Sequence, residues 1–377
     1  MFSTRFQWDL RPNRLTETLA ERRRTGGTVL DLTESNPTRA GLEYPAGILR
    51  AFDDPRSLVY DPAPAGSIEA REAVAGYYAA RGRCVDTGRI LLTASTSEAY
   101  AYLFKLLGDP GDNVLVPRPS YPLFEFLAGM EALEVRHYPL IYHGGWSLDM
   151  DALIAAITPR TRAIVVVNPN NPTGSFLKRH ELERLRRQGL PLISDEVFSD
   201  YGFGADDERV ESLVDSSGCV LFSMSGLSKI SGLPQMKLGW IVTNEPAAMD
   251  RLEWIADTYL SVSTPVQCAL PRLLEAGESV QRQIRQRTAA NLAYARGVLT
   301  GSSLEILQVE GGWYITLRMP RTKTEEEWAV ELLARRGVLV QPGFFYDFES
   351  EAFLVVSLLT PADVFREGIA RILEEAP

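Results

Sequence analysis

A lysine stands at position 229 in a stretch otherwise made of small residues, glycine and proline: Ser223-Met-Ser-Gly-Leu-Ser-Lys-Ile-Ser-Gly-Leu-Pro-Gln-Met-Lys-Leu-Gly-Trp240. Apolar runs at Cys219–Phe222 and Leu238–Val242 lead into and out of it. An ammonium on a short polar loop between two buried strands loses hydration, which lowers its pKa and makes it a nucleophilic amine. A solvated loop lysine is the plainer alternative. Asp195 ends another apolar run, Leu190–Ser194, and a carboxylate buried there needs a cationic or hydrogen-bonding partner. Ser95, Thr96 and Ser97 open a helix, with Glu98 three residues after Ser95 in capping-box spacing. The free amides, hydroxyls and dipole of such a terminus suit a phosphate dianion, although the same residues also read as a plain cap. Lys237, one loop beyond Lys229, adds a cation for that phosphate. Tyr121, between Pro119 and Pro122, reads as a ring that stacks on an aromatic group or as a packed loop residue. Asn171, in the turn Asn168–Gly174, is a hydrogen-bonding group for a ligand or simply a turn former.

These groups need strands to hold them. Arg89–Thr93, Asn113–Pro117, Arg162–Val167, Leu190–Ser194, Cys219–Phe222 and Leu238–Val242 read as short apolar strands. The run to Val167 has the composition of a strand buried on both faces of a parallel sheet. Helical patterns alternate with them: one after Ser67 that Gly82 stops, one after Ser95, one beginning at Leu123–Leu127, and one over residues 178–189. This alternation predicts an α/β fold, a doubly wound, mostly parallel sheet, in which ligands bind at the carboxyl ends of strands. Ser95–Ser97, Asn171, Asp195 and Lys229 all fall just after strand ends, so the fold brings them together. A phosphate, a protonated pyridine nitrogen, an aromatic face and an imine-forming lysine describe one cofactor, pyridoxal 5′-phosphate. After Pro265 come a long helical region to about Leu299, strands near Leu304–Val309, Trp313–Leu317, Val338–Val340 and Phe353–Leu358, a helix at Thr324–Arg336 and a terminal helix. The domain reading is therefore residues 1–45 as N-terminal arm and part of a small α+β domain, 46–275 as the large domain, and 276–377 as the rest of the small one.

A chain of 377 residues exceeds one compact core. The net charge, 39 − 49 = −10, argues against a nucleic-acid-binding surface. Cys84, Cys219 and Cys268, like His137, His143 and His180, are too scattered for a disulfide framework or a metal-ligand pattern. The first residues lack an apolar core of signal-peptide length, and no run approaches membrane-spanning length. The reading is a cytoplasmic protein with no membrane and no nucleic-acid partner.

The motifs Tyr60…Gly66, Ser95-Thr-Ser-Glu-Ala99, Pro119-Ser-Tyr-Pro122, Asn170-Asn-Pro-Thr-Gly174, Asp195-Glu196, Ser228-Lys229 and Gly239-Trp240 follow one another from about Leu30 to the C-terminus. In that order and spacing the chain resembles the fold-type I, class I/II aminotransferase family of pyridoxal-phosphate enzymes. The resemblance implies that Lys229 is the Schiff-base lysine and proton-transfer base, and that Asp195 pairs with the pyridine nitrogen. It implies that Asn171 meets the phenolic oxygen, Tyr121 stacks on the ring, and Ser95, Thr96 and Ser97 bind the phosphate. Tyr60 resembles a tyrosine that reaches the neighbour's phosphate across a homodimer with shared active sites. The implied reaction is ping-pong transfer of an amino group from an amino donor to a 2-oxo acid acceptor.

Three positions depart from the pattern. Phe198 stands where the family has a tyrosine that donates to the phenolic oxygen. Lys237 stands where an arginine grips the phosphate, keeping the charge but losing the bidentate fork. Val355 stands where an arginine clamps the substrate's α-carboxylate. Arg39, after Asn36-Pro-Thr, is the candidate replacement, or a surface loop arginine. Asn36 and Trp313 are further substrate-side candidates, and Gly343–Tyr346 resembles a loop that closes over substrate. Aromatic residues there favour an apolar or aromatic substrate side chain, or form domain-interface core. The Val355 change keeps a second reading open: a β-lyase, decarboxylase or amine transaminase using the same cofactor. A non-catalytic regulator on this fold is disfavoured by Lys229 and Asp195, by the negative charge, and by too few residues before Leu30 for a DNA-binding domain.

Overall fold

The computed structural model describes residues 2–8 and 11–376; residues 1, 9 and 10 of the N-terminal arm and residue 377 lie outside the described set. A helix, Arg14–Arg24, precedes β1 (Leu30–Asp31). The main sheet follows, with β2 (Ile90–Thr93), β3 (Asn113–Arg118), β4 (Glu134–Tyr142), β5 (Trp146–Leu148), β6 (Thr161–Val167), β7 (Leu192–Asp195), β8 (Leu221–Gly226) and β9 (Gly239–Thr243). Its order is β2-β9-β8-β7-β6-β3-β4-β5. The central strands β4, β3, β6, β7 and β8 pair in parallel, while β9 and β5 run antiparallel to their neighbours. The period of two along each strand divides the sheet's side chains between two cores. Ile164, Val166 and Leu192 pack on one side with Leu153 and Leu185, from helices Met150–Ala156 and Arg179–Arg186. Ala163, Val165 and Ile193 pack on the other with Leu103, Leu127 and Leu252, from helices Thr96–Leu107, Phe124–Met130 and Pro246–Tyr259. Helices thus cover both faces, the doubly wound α/β arrangement.

A second, antiparallel sheet has the order β10-β11-β14-β13, from β10 (Glu305–Ile306), β11 (Tyr314–Arg318), β13 (Gln341–Pro342) and β14 (Phe353–Ser357). The N-terminal segment joins this region: β1 pairs in parallel with β12 (Val338–Leu339), and the Ser357 amide donates to Leu32 O at 2.7 Å. Helix Thr264–Leu299, 36 residues long, runs unbroken through position 275. Its first half packs Ala269, Leu270 and Leu273 beside β2 and β9, and its second half packs Leu292, Ala295 and Leu299 among the residues of the second sheet. Among the described residues, no helix is long and apolar enough to cross a membrane.

Two elements differ from the sequence reading in a way that bears on the site. β8 runs on to Gly226 where apolarity alone ends at Phe222. Ser223 and Ser225 are buried there because the carboxylate and carbonyl of Glu196 accept their hydroxyls at 3.3 and 3.5 Å, so their polarity is not a loop signal. Lys229 consequently sits not on a loop but in one turn of helix, Leu227–Ile230. The strands β4 and β5, which the polar composition of Glu134–Tyr142 conceals, complete one edge of the sheet.

Candidate active site

The carboxyl ends of β6, β7 and β8 open on a cavity of about 220 Å³. Asp195, the last residue of β7, and Lys229, three residues beyond β8, both line it. Tyr100 donates its hydroxyl to Asp195 Oδ2 at 3.1 Å, and the Val197 amide donates to Oδ1 at 3.2 Å. Burial still pushes the Asp195 carboxyl up to about 6, against the pull of these hydrogen bonds and the nearby Lys229 charge. Burial lowers the Lys229 ammonium to about 8, opposed by Asp195. Apolar rings strengthen that burial: Lys229 Nζ lies 4.9 Å from the centre of the Trp313 ring and 5.6 Å from that of Phe198.

The polar groups around this pair are arranged for a ligand rather than for each other. Asn171 Oδ1 is buried with no hydrogen-bond partner among the described residues, a costly state if nothing fills it. Its turn is held by Asn170, whose side chain accepts from Thr173 Oγ1 at 2.9 Å, and by Gly174, which is left-handed at φ 69°. A Cβ at Gly174 would lie 2.4 Å from Gly311 O, so glycine is required there for both conformation and space. Across the cavity, Ser95 Oγ accepts from the Glu98 amide at 3.1 Å and starts the Thr96–Leu107 helix. The reciprocal arm of the cap reaches Ala94, whose amide donates to Glu98 Oε2 at 2.6 Å, and Ser261 Oγ donates to the same oxygen at 2.7 Å. The acidic side chain is thereby tied down, while the first-turn amides of Thr96 and Ser97 front the cavity beside Ser228 and Gly239. Gly226 and Gly239 bring the ends of β8 and β9 together: a Cβ on Gly226 would lie 2.8 Å from Gly239 Cα.

Of the residues singled out from sequence, Ser95, Thr96, Ser97, Tyr121, Asn171, Asp195 and Lys229 line this one cavity, as does Phe198. The others do not. Lys237 is exposed, its backbone left-handed at φ 50° after the turn Pro234–Met236; its neighbours Leu238 and Gly239 form the wall instead. Tyr60 is 77% exposed and lines a separate recess with Tyr102 and Val262. Arg39 is exposed, and Asn36 spends its side-chain oxygen on the amide and hydroxyl of Thr38, at 3.0 and 2.8 Å. Trp313 is fully buried behind the Lys229 amine; the alternation of β11 gives the cavity face to its neighbour Tyr314. Val355 is buried on β14, in register with Thr316 and Gln341, and among the described residues no arginine lines the cavity.

Sequence reasoning missed Tyr100 and Ser35, both in the wall. Tyr100 had a signal: four residues after Thr96 on a helix, it shares that residue's face. Ser35 had none, because its position depends on β1 pairing with a strand some 300 residues away in the chain.

A buried carboxylate in want of a cation, an unpartnered buried amide side chain, first-turn amides with no acceptor among the described residues and an amine biased toward its neutral form together fit pyridoxal phosphate. Comparison with known proteins agrees. The model for aminotransferase class I and II matches residues 29–372. This chain belongs to that family. The aminotransferase is 26% identical over 370 residues to mouse (Mus musculus) tyrosine aminotransferase, covering 92% of this chain and 80% of the relative. It is 32% identical over 273 residues to the glutamate–pyruvate aminotransferase of Escherichia coli, covering 69% of this chain and 66% of the relative. Its fold superimposes on the aspartate aminotransferase of Thermus thermophilus (a single mutant) with a TM-score of 0.86, at 25% identity and 99% coverage of both chains. The aminotransferase is pyridoxal-phosphate-dependent and moves an amino group between an amino acid and a 2-oxo acid by a ping-pong mechanism.

Proposed function

We propose that Lys229, Asp195, Asn171, Tyr121 and the Ser95–Ser97 turn are the groups with which this aminotransferase holds and works its cofactor. One observation carries the reading: the amine of Lys229 and the carboxylate of Asp195 line the same cavity, and burial shifts each toward its uncharged form. When bound, pyridoxal phosphate supplies a carbonyl carbon that joins an amine and a protonated ring that accepts electrons as the α-proton leaves. Asp195 would pair with the protonated ring nitrogen; a cation there would return the carboxylate to its charged form and offset the cost of its burial. Asn171 would turn its side-chain NH2 to the phenolic oxygen as donor, a task Phe198 has no hydroxyl to share. The Thr96 and Ser97 amides take the phosphate, with Lys237, one residue before the wall, as an outer cation. Tyr121, 49% exposed, covers the open ring face. With the cofactor held there, the Lys229 amine would be the base that takes the donor's α-proton and the acid that gives a proton back; a pKa of about 8 suits a group that must do both near neutrality.

Arg39 is our candidate for the substrate carboxylate. Its guanidinium has no partner among the described residues, and it lies four residues past Ser35, which lines the cavity. The neighbouring walls Tyr314, Phe198 and Phe124 favour an apolar or aromatic donor side chain. Tyr60 sits among Leu58 and Val59, all strongly exposed, which supports a homodimer in which Tyr60 reaches the neighbouring phosphate. The free thiols of Cys84, Cys219 and Cys268 support a cytoplasmic setting. The test is borohydride reduction of the purified enzyme followed by peptide mapping, together with the spectrum after adding an amino donor alone. The expected result is a cofactor label on Lys229 and conversion to the amine form of the cofactor; a label elsewhere, or release of ammonia without that conversion, defeats the reading.

A further inference from the structure

A helix of four residues, Leu227–Ile230, is too short to satisfy its own carbonyls: among the described residues, Leu227 O receives backbone amides from just past its end, those of Ser231 and Leu233 at 3.2 and 3.0 Å. Side chains from elsewhere supply the missing donors. Tyr201 donates its hydroxyl to Lys229 O at 2.6 Å. Gln281, on the long helix Thr264–Leu299, donates to Ile230 O at 3.1 Å. Tyr44 donates to Gly232 O at 2.6 Å. Each donor is itself fixed. The Tyr201 ring packs edge-on to Trp313 at 5.2 Å, the same indole that lies over the Lys229 amine. Gln281 also donates to Asp200 Oδ2 at 2.7 Å; Asp200 in turn accepts from Tyr77 at 2.8 Å and from Arg81 at 2.7 and 3.1 Å. Gly277, one helical turn before Gln281, lets the long helix close on this turn, since a Cβ there would meet Ser231 Oγ at 2.3 Å.

We propose that Tyr201 and Gln281 are positioning residues of the transamination: by holding the carbonyls of the lysine-bearing turn they keep the Lys229 amine against Trp313 and dry, in the one place from which it serves the cavity. The chain from Asp195 to Tyr201 then has two outputs, a carboxylate into the site and, six residues on, a hydroxyl on the backbone of the lysine. The charge that faces the amine is Asp195 on β7; the rings of Phe198 and Trp313, which flank it, are uncharged. Loss of a clamp frees the turn, admits water to the amine and restores its affinity for a proton. The inference rests on the proposed role of Lys229, and its test is chosen to be readable without turnover.

The variant Tyr201→Phe removes one hydroxyl and keeps the ring on Trp313; Gln281→Leu removes the second donor at similar bulk. In apoprotein, the pH dependence of acetylation of Lys229 by acetic anhydride, read by peptide mass, reports the amine's apparent pKa. We expect each variant to raise it by at least ~0.5 unit. In holoenzyme we expect the first half-reaction's kcat to fall about tenfold with KM within twofold, as misplacement of a base demands. An unchanged pKa with unchanged kcat in both variants overturns the proposal. If Tyr201→Phe does not fold, by its far-ultraviolet melting curve, the result for Gln281→Leu decides alone. A wild type that performs no half-transamination refutes the role of Lys229 instead, and the acetylation profile still reads the clamp.

Discussion

Asp195→Asn puts the energetics of the site to direct test. In the folded chain the Asp195 carboxyl titrates at about 6, against 3.8 ordinarily. Between those values the folded state binds more protons than the unfolded one, so this group's stabilising contribution is complete below pH 3.8 and is lost as pH rises through 6. The difference, about two units, corresponds to about 3 kcal/mol of destabilisation by the charged form at neutral pH. Asparagine carries no charge and keeps one acceptor, for the Tyr100 hydroxyl or the Val197 amide but not both. Against this, Lys229 loses its counter-charge, and with a pKa of about 8 its deprotonation near neutrality costs about 1 kcal/mol. The net expectation is that cofactor-free Asp195→Asn is more stable than wild type by about 1–2 kcal/mol at pH 7.5 and shows no such advantage at pH 4. Urea midpoints of the two apoproteins at both pH values measure it. The same variant should lose half-transamination by at least about 100-fold, having no carboxylate to keep a ring nitrogen protonated. A variant that is equally or less stable at pH 7.5 refutes the reasoning, because Asp195 would then be paired well enough in the empty site to need no cofactor.

Tyr100→Phe removes the hydroxyl 3.1 Å from Asp195 Oδ2 and should raise the carboxyl further in the cofactor-free protein, moving the pH at which apoprotein stability responds to Asp195 up by ~0.5–1 unit; a urea-midpoint profile that does not move discounts that hydrogen bond. Arg39→Ala should raise KM for amino-acid donors about 30-fold, or ~2 kcal/mol, with the bound-cofactor absorbance unchanged; equal KM values remove Arg39 from the site. Gly226→Ala sets a methyl 2.8 Å from Gly239 Cα and 2.9 Å from Leu238 O, both backbone atoms. It should cost about 1–3 kcal/mol, and an unchanged urea midpoint would mean that β8 and β9 part freely there.

The α/β class and the location of the site were legible because both follow from local rules. The run Ala163–Val167 of β6 is apolar because both of its faces are covered. Lys229, Asp195, Asn171 and Ser95–Ser97 stand out because each follows such a strand, where a ligand can reach it. Capping is local as well: Ser95 and Ser67 begin their helices where the spacing predicts. What misled was polarity satisfied at a distance. Ser223 and Ser225 look like loop residues until Glu196 is seen to accept from them, and the helical turn of Lys229 has no pattern of its own because its donors come from Tyr201 and Gln281.

The chain's own order of residues determined which chemical groups the protein owns and which strand each one follows; those are matters of covalent sequence and of period, readable a few residues at a time. Tertiary structure alone decided which groups face the cavity. It set Tyr314 rather than Trp313 in the wall, left Lys237 and Arg39 exposed, and brought Ser35 to the site by pairing β1 with β12. The physical reason is that burial, and with it the shifted protonation of Lys229 and Asp195, is made by segments far apart in the chain that meet only when the two sheets pack.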